Sequence, residues 1–359
     1  AAAGDQSWAL ALDLLRETEP SKHPSIAHSP AALTISLGLS YKRWPVACEP
    51  TLTAAIHALE TGDALHQTLG ASVLELRGRA LPAGDAGESA VELELINALW
   101  DFRGSDGPVV AEYGAAKHHI ARPTTSAELA AAREVINCVV EQQTRGLIVD
   151  FLPEDYPKLD TTAFDTTVAF LGAPWETGLR SLPDMPFTGD DGLATPHAMM
   201  GEQGVVASYF SDGQLEALEL PLRGGALSVL LVLPAPGVTL ESFVSALSPE
   251  ALRAARDGGD YAEVDLAMPK FSVDNGETLD YFKRLGLMCE EYTLRSVLHR
   301  AVVRFDEQGV EAAAASANES WDSEGGGPGV PITIDRPFLF FIYDHATGFA
   351  LWSGRYAGA

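Results

Sequence analysis

The chain has 359 residues, 46% hydrophobic and 21% charged, with 24 basic against 50 acidic side chains and a formal net charge of −26. Length alone allows two or three domains, although mixed folds of this size also occur as single units, and no apolar run reaches the ~18 residues of a membrane span. A surface this acidic repels nucleic acid and anionic lipid, so neither is an expected partner.

In chain order, residues 7–16 carry apolar side chains at helical spacing. Ser29-Pro30 marks a helix start with proline just inside it. Residues 51–60 and 64–72 read as short helices. Residues 91–100 alternate apolar and acidic before turning wholly apolar, as a strand does on passing from half-exposed to buried. Residues 126–146 form a long amphipathic helix ending at Gly146, and 163–171 a buried strand.

The second half is rich in strands. Residues 215–221 and 226–233 flank Arg223-Gly224-Gly225 as a hairpin. Residues 264–273, 299–305, 332–343 and 349–356 read as further strands, with a helix expected at 277–286. Helices weighted to the first half and strands to the second predict an α+β fold. Three scattered cysteines, Cys48, Cys138 and Cys289, have no metal-ligand spacing and leave one optional bridge open. The chain starts at Ala1 without Met, so an upstream segment is expected to have been trimmed, and no signal peptide is visible.

Residues 306–331 fit no packed element and are too long for a routine connection. Helix propensity favours the alanines of 311–317, yet no apolar stripe exists to anchor a helix. Read with period two, Val310, Ala312, Ala314 and Ser316 share one small, nearly apolar face. Such a ribbon fits between existing strands. Residues 318–329 are polar and then Gly/Pro-rich.

The flanks of this segment carry a resemblance. Ile332-Thr333-Ile334-Asp335-Arg336-Pro337-Phe338-Leu339-Phe340-Phe341-Ile342 resembles the signature of the serpin family. Leu298-His299-Arg300-Ala301-Val302 and Phe305-Asp306-Glu307-Gln308-Gly309-Val310 resemble its strand and hinge before the reactive loop. Colinear matches include Ser29-Pro30, Asn97-Ala98-Leu99-Trp100, Trp175, Met268-Pro269-Lys270-Phe271 and Gly354-Arg355. The resemblance implies one domain over 1–359, with three β-sheets, about nine helices and an exposed reactive-centre loop at about 307–331.

It also implies suicide inhibition of a serine protease. The protease forms an acyl-enzyme on the loop, whose hinge half then inserts as a new strand and distorts the bound active site. The implied hinge is Glu307, Gly309, Val310, Ala312, Ala313, Ala314 and Ala315. Hinge-to-bond spacing puts the scissile residue at Ser323, followed by Glu324, with Asp322 as an alternative. These suit elastase-like, subtilisin-like or Glu/Asp-specific proteases. No Arg or Lys lies in 309–334, which argues against trypsin-like ones.

Sheet opening in the family is controlled by a polar cluster, matched here by His299, Ser29, Thr167 and Trp175. Departures are Ala32 where Ser is common and Thr167 where Asn is common. Residues 51–66 lack Lys and Arg, so no heparin-type cofactor is expected. Neither a metal nor another cofactor is expected, and the expected state is a secreted monomer. Competing readings are a non-inhibitory carrier, chaperone or storage serpin and an enzyme, although no catalytic motif appears.

Overall fold

A computed structural model describes residues 2–41, 45–84, 89–103, 113–161, 163–274, 279–280, 285–287, 289, 298–310 and 329–358. The first half runs α1 (Ala2–Glu17), β1 (Ile26–His28), α2 (Pro30–Tyr41), α3 (Glu49–Ala55), α4 (Gly62–Arg77), β2 (Glu92–Asp101), β3 (Ala116–His119), α5 (Ser126–Gln143) and β4 (Ala163–Pro174). Then come β5 (Arg180–Thr188), β6 (Ala194–Ser211), β7 (Leu215–Pro221), β8 (Leu227–Pro234), α6 (Leu240–Ala246), α7 (Pro249–Asp257), β9 (Asp260–Pro269) and β10 (Phe271–Asp274). The chain closes with β11 (Leu279–Asp280), β12 (Leu298–His299), β13 (Val302–Asp306), β14 (Gly309–Val310), β15 (Val330–Thr333), β16 (Phe338–Asp344) and β17 (Ala350–Tyr356).

A nine-stranded sheet follows the order β1-β17-β16-β8-β7-β6-β9-β15, with β5 on β6. A six-stranded sheet follows β10-β13-β14-β4-β2-β3, and β11 pairs with β12. The mixed α+β expectation therefore holds at the level of a large sheet and a second sheet. Among the described residues there are seven α-helices, fewer than the nine or so expected.

Two element expectations need correcting. The helix expected at 277–286 is not continuous, because Leu279 and Asp280 pair as a strand with His299 and Leu298. The single strand expected at 332–343 is two strands with different partners. β15 runs parallel to β9, whereas β16 lies between β17 and β8. Pro337 separates them, since it offers no N–H to a ladder.

The helix α2 explains how the sheets are held together. Apolar residues surround it on nearly every side, the pattern of a central helix and not a surface one. It packs against β4 of one sheet and β17 of the other. The longer α5 starts from a capping box in which Thr125 and Glu128 satisfy each other's backbone N–H groups. Under α5 lies a separate apolar layer that includes Trp100, Phe151, Val168 and Val302.

The carboxy-terminal strand is fixed by its own motif. Any side chain at Gly354 would collide with the Phe340 ring. Buried Arg355 donates to the carbonyls of Leu15, Thr18, His23 and Pro24, closing the end of α1 onto β17. These contacts give a physical reason for Gly-Arg at that point.

Of the three cysteines, Cys48 and Cys289 form a disulfide across 241 residues of sequence, and exposed Cys138 is free. A bridge of that reach stabilises by a few kcal/mol.

Candidate functional site

The site is the seam between β4 and β13. At its upper end the chain turns back through Glu307 and Gln308 and enters the sheet as β14. Phe305 pairs with Val310 and Asp306 with Gly309; on the other side Gly309 pairs with Pro174 and Val310 with Ala173. The Asp306 carboxylate accepts from Gln308 N–H at 2.8 Å, closing the turn. Gly309 has φ 145°, and a side chain there would strike the Ala173 carbonyl, so only glycine fits. Val310 is 2% exposed.

Trp175 clamps this hairpin. Its indole N–H donates to the Asp306 carbonyl at 2.8 Å, and its backbone N–H donates to Gln308 O at 3.2 Å. The indole stacks on Phe305, which stacks on Phe271 at 4.4 Å between ring centroids. Glu307 forms an ion pair with Lys270, whose ammonium also donates to Ser181 Oγ. Partial burial works against the Glu307 carboxylate, but Lys270, the residue's own backbone N–H and Ser181 together hold the group below its usual range.

Below β14 no ladder joins β4 to β13 among the described residues. Two small voids of about 10 Å³ each lie along the gap instead. The upper one is lined by Ala169, Leu171, Val303 and Val310, the lower one by Ser29, Ala32, Thr167, His299 and Ala301. Ala169 alternates with the fully core-facing Leu171 and Ala173 yet is only half-buried. Thr167 Oγ1 is buried with no hydrogen-bond partner, a costly state for a hydroxyl.

His299 lies at the foot of the gap. Its Nε2 accepts from the Ser29 N–H at 3.0 Å, so that nitrogen carries no proton. Ser29 Oγ donates to Leu351 O at 2.7 Å and accepts from Ala32 N–H, capping α2 while tying it to β17. Burial pushes His299 down to about 4, so the imidazole is neutral at physiological pH. A second buried histidine, His28, has its ring 6.4 Å away.

The structure thus groups Trp175, Glu307, Gly309 and Val310 at one end of the seam, and Ser29, Thr167 and His299 further down. Ala312, Ala313, Ala314, Ala315, Asp322, Ser323 and Glu324 lie outside the described residues. Sequence reasoning passed over Lys270, although it quoted the motif that contains it. It also passed over His28, which only the β1–β17 pairing brings beneath the sheet.

A Ser–His–carboxylate trio elsewhere bears on the enzyme reading. Ser228 Oγ and Glu219 Oε1 lie 2.8 and 3.2 Å from His345, but both meet Nε2. A relay needs the two partners on opposite ring nitrogens, so this trio is not one. No helix among the described residues is long and apolar enough to cross a membrane.

A family model described as Serpin (serine protease inhibitor) matches residues 5–358. A serpin-like protein of Thermococcus kodakarensis is 28% identical over 96% of this chain and 82% of its own. Native tengpin, a thermophilic serpin, superposes with a TM-score of 0.80 at 16% identity, over 99% of this chain and 94% of its own. A complex of thyroxine-binding globulin with thyroxine gives 0.77 at 20% identity, over 99% and 98%. The family model spans nearly the whole chain and the fold matches solved serpins, and the chain belongs to the serpin family.

Proposed function

We propose that this protein is a suicide-substrate inhibitor of serine proteases, a single domain of residues 1–359 whose cleaved loop inserts between β4 and β13. The observation that carries this reading is β14, in which Gly309 and Val310 are already paired on both sides. Continuing that register brings Ala312 opposite Leu171 and Val303, Ala314 opposite Ala169 and Ala301, and Ser316 opposite Thr167 and His299. The small face of the hinge would then cover the half-buried alanine and offer a hydroxyl to Thr167. Insertion gains two ladders of backbone hydrogen bonds and fills the voids, so the uninserted fold is held by a barrier and not by equilibrium.

A protease acylated at Ser323, Glu324 or Asp322 would be carried along the seam by that strand. Pulling on its serine separates the ester from the base and oxyanion hole that deacylation needs. Small or acidic residues at the cleavage point favour elastase-like, subtilisin-like or Glu/Asp-specific targets.

The test is incubation with one protease of each class. A complex stable in SDS, together with loss of protease activity, supports inhibition; loop cleavage that leaves the protease active would falsify it. A carrier role is favoured by one observation, a cleft of about 640 Å³ between the end of α1, the 189–193 turn and α6. Its apolar floor includes Leu15, Phe187, Leu240 and Val244. Uncut protein that takes up a hydrophobic dye there and leaves every protease active would support the carrier.

A further inference from the structure

We propose that the cleft between the end of α1, the 189–193 turn and α6 is a binding site for a small apolar amine, whose N–H groups meet its acceptors while the apolar body lies on its floor. The site goes beyond inhibition and does not depend on it, since no lining residue belongs to β4, β13 or β14.

The cleft is preformed. Arg16 of α1 donates to the carbonyls of Val244 and Leu247, which ties α1 to α6. Asp190 accepts from the Leu240 N–H, both carboxylate oxygens lying 3.2 Å from it, which ties the turn to α6. Inside the turn, Asp191 accepts from Leu193 N–H at 2.9 Å, and Gly189 N–H donates to Leu193 O at 3.0 Å. Arg355 holds the floor through the carbonyls of Leu15, Thr18, His23 and Pro24. These ties hold open a space of about 640 Å³, the size of an ordinary small-ligand pocket.

Charge selects the ligand. Asp190, Asp191 and Glu241 place three exposed carboxylates on the rim. The two arginines of the lining are already engaged: Arg16 with two carbonyls and Asp13, and Arg355 with carbonyls alone. The charge left over is negative, and it favours an ammonium.

His197 adds an independent acceptor. It is 8% exposed, and its ring lies 4.7 Å from that of Phe187. Its Nδ1 is 3.2 Å from the Thr195 carbonyl, which can only accept, so that nitrogen carries the proton. Nε2 is left as a buried acceptor with no partner, and it faces Gly358, where a Cβ would lie 3.7 Å away. Phe187, Thr195 and Gly358 all line the cleft, so this acceptor stands at the wall they form. A buried polar atom without a partner is costly, and a ligand N–H relieves that cost. An anion would meet only carboxylates and a lone pair there.

The test titrates the full, uncut chain with dansylcadaverine, an apolar primary amine, and with dansylglycine, which carries the same fluorophore on a carboxylate. The amine should occupy a single site, about tenfold or more tighter than the carboxylate. Asp191→Asn/Glu241→Gln keeps an acceptor for Leu193 N–H and should weaken the amine about tenfold. Glu134→Gln/Glu141→Gln removes the same charge from α5 and should leave binding unchanged. His197→Phe keeps a ring on Phe187 and should cost about fivefold. Leu193→Lys sets a competing ammonium at a position 65% exposed, where the fold tolerates it, and should abolish binding even if the other variants fail to fold. Equal affinity for the two dyes overturns the proposal. So does equal weakening by the rim and α5 pairs, which would make the attraction one of general surface charge, and so does binding that Leu193→Lys leaves intact. No protease enters the experiment, so its failure leaves the insertion reading standing.

Discussion

The two ends of the seam are built differently. At the upper end Val310 is buried and paired with a strand on each side, and Trp175, Lys270 and an aromatic stack surround the turn. A few residues lower, no ladder joins the same two strands among the described residues, Thr167 keeps a buried hydroxyl without a partner, and small voids remain. Protein interiors are normally packed without such gaps. The contrast suggests a division of labour in which the upper end fixes the register and the lower end keeps the space.

The largest predicted effect breaks the upper end. Val310→Arg would bury a guanidinium where valine is 2% exposed, at a cost of several kcal/mol. The hinge should leave the sheet, and inhibition assays should show cleavage without a covalent complex. Ala312→Arg should behave alike, one inward position further on.

A second prediction concerns the lower end. His299 is held neutral, about 4 against a usual 6.5. Between those values the unfolded chain binds a proton that the native state refuses. Stability should therefore fall as pH drops from 6.5 towards 4 and level off below, by up to about 3 kcal/mol. Urea titrations across that range test it, and His299→Gln should flatten the slope.

Ser29→Ala is third. It removes both the bond to Leu351 and the cap on α2, for about 1–2 kcal/mol in denaturant titrations. Smallest is Glu307→Gln, because its ion pair with Lys270 is partly exposed and contributes at most about 1 kcal/mol. The Glu307 carboxylate is held below its usual range. Its contribution is therefore present above the ordinary carboxylate pKa and lost as pH falls through the lowered one.

The sequence made some of this legible and hid the rest for identifiable reasons. Gly309 was readable, because a bend before a small-residue ribbon calls for glycine, and the collision with Ala173 supplies the reason. α7 was missed despite a local signal. Ser248 caps it and Pro249 opens it, but the helix spans only Pro249–Asp257. The 277–286 error went the other way: local helical spacing lost to a tertiary pairing with His299. The Cys48–Cys289 bridge could not be read, since three cysteines allow three pairings and only the fold brings these two to 5.7 Å between Cα atoms. His28 was invisible because nothing local marks a histidine that its sheet partner carries beneath a second sheet.

The central claim is that the space between β4 and β13 is reserved for the chain's own next strand. Thermal unfolding before and after a single protease cut within residues 318–329 tests it most directly. The account predicts that the cut protein unfolds at a clearly higher temperature than the intact one, because the freed hinge completes both ladders and fills the voids. An unchanged or lower unfolding temperature after complete cleavage would contradict it.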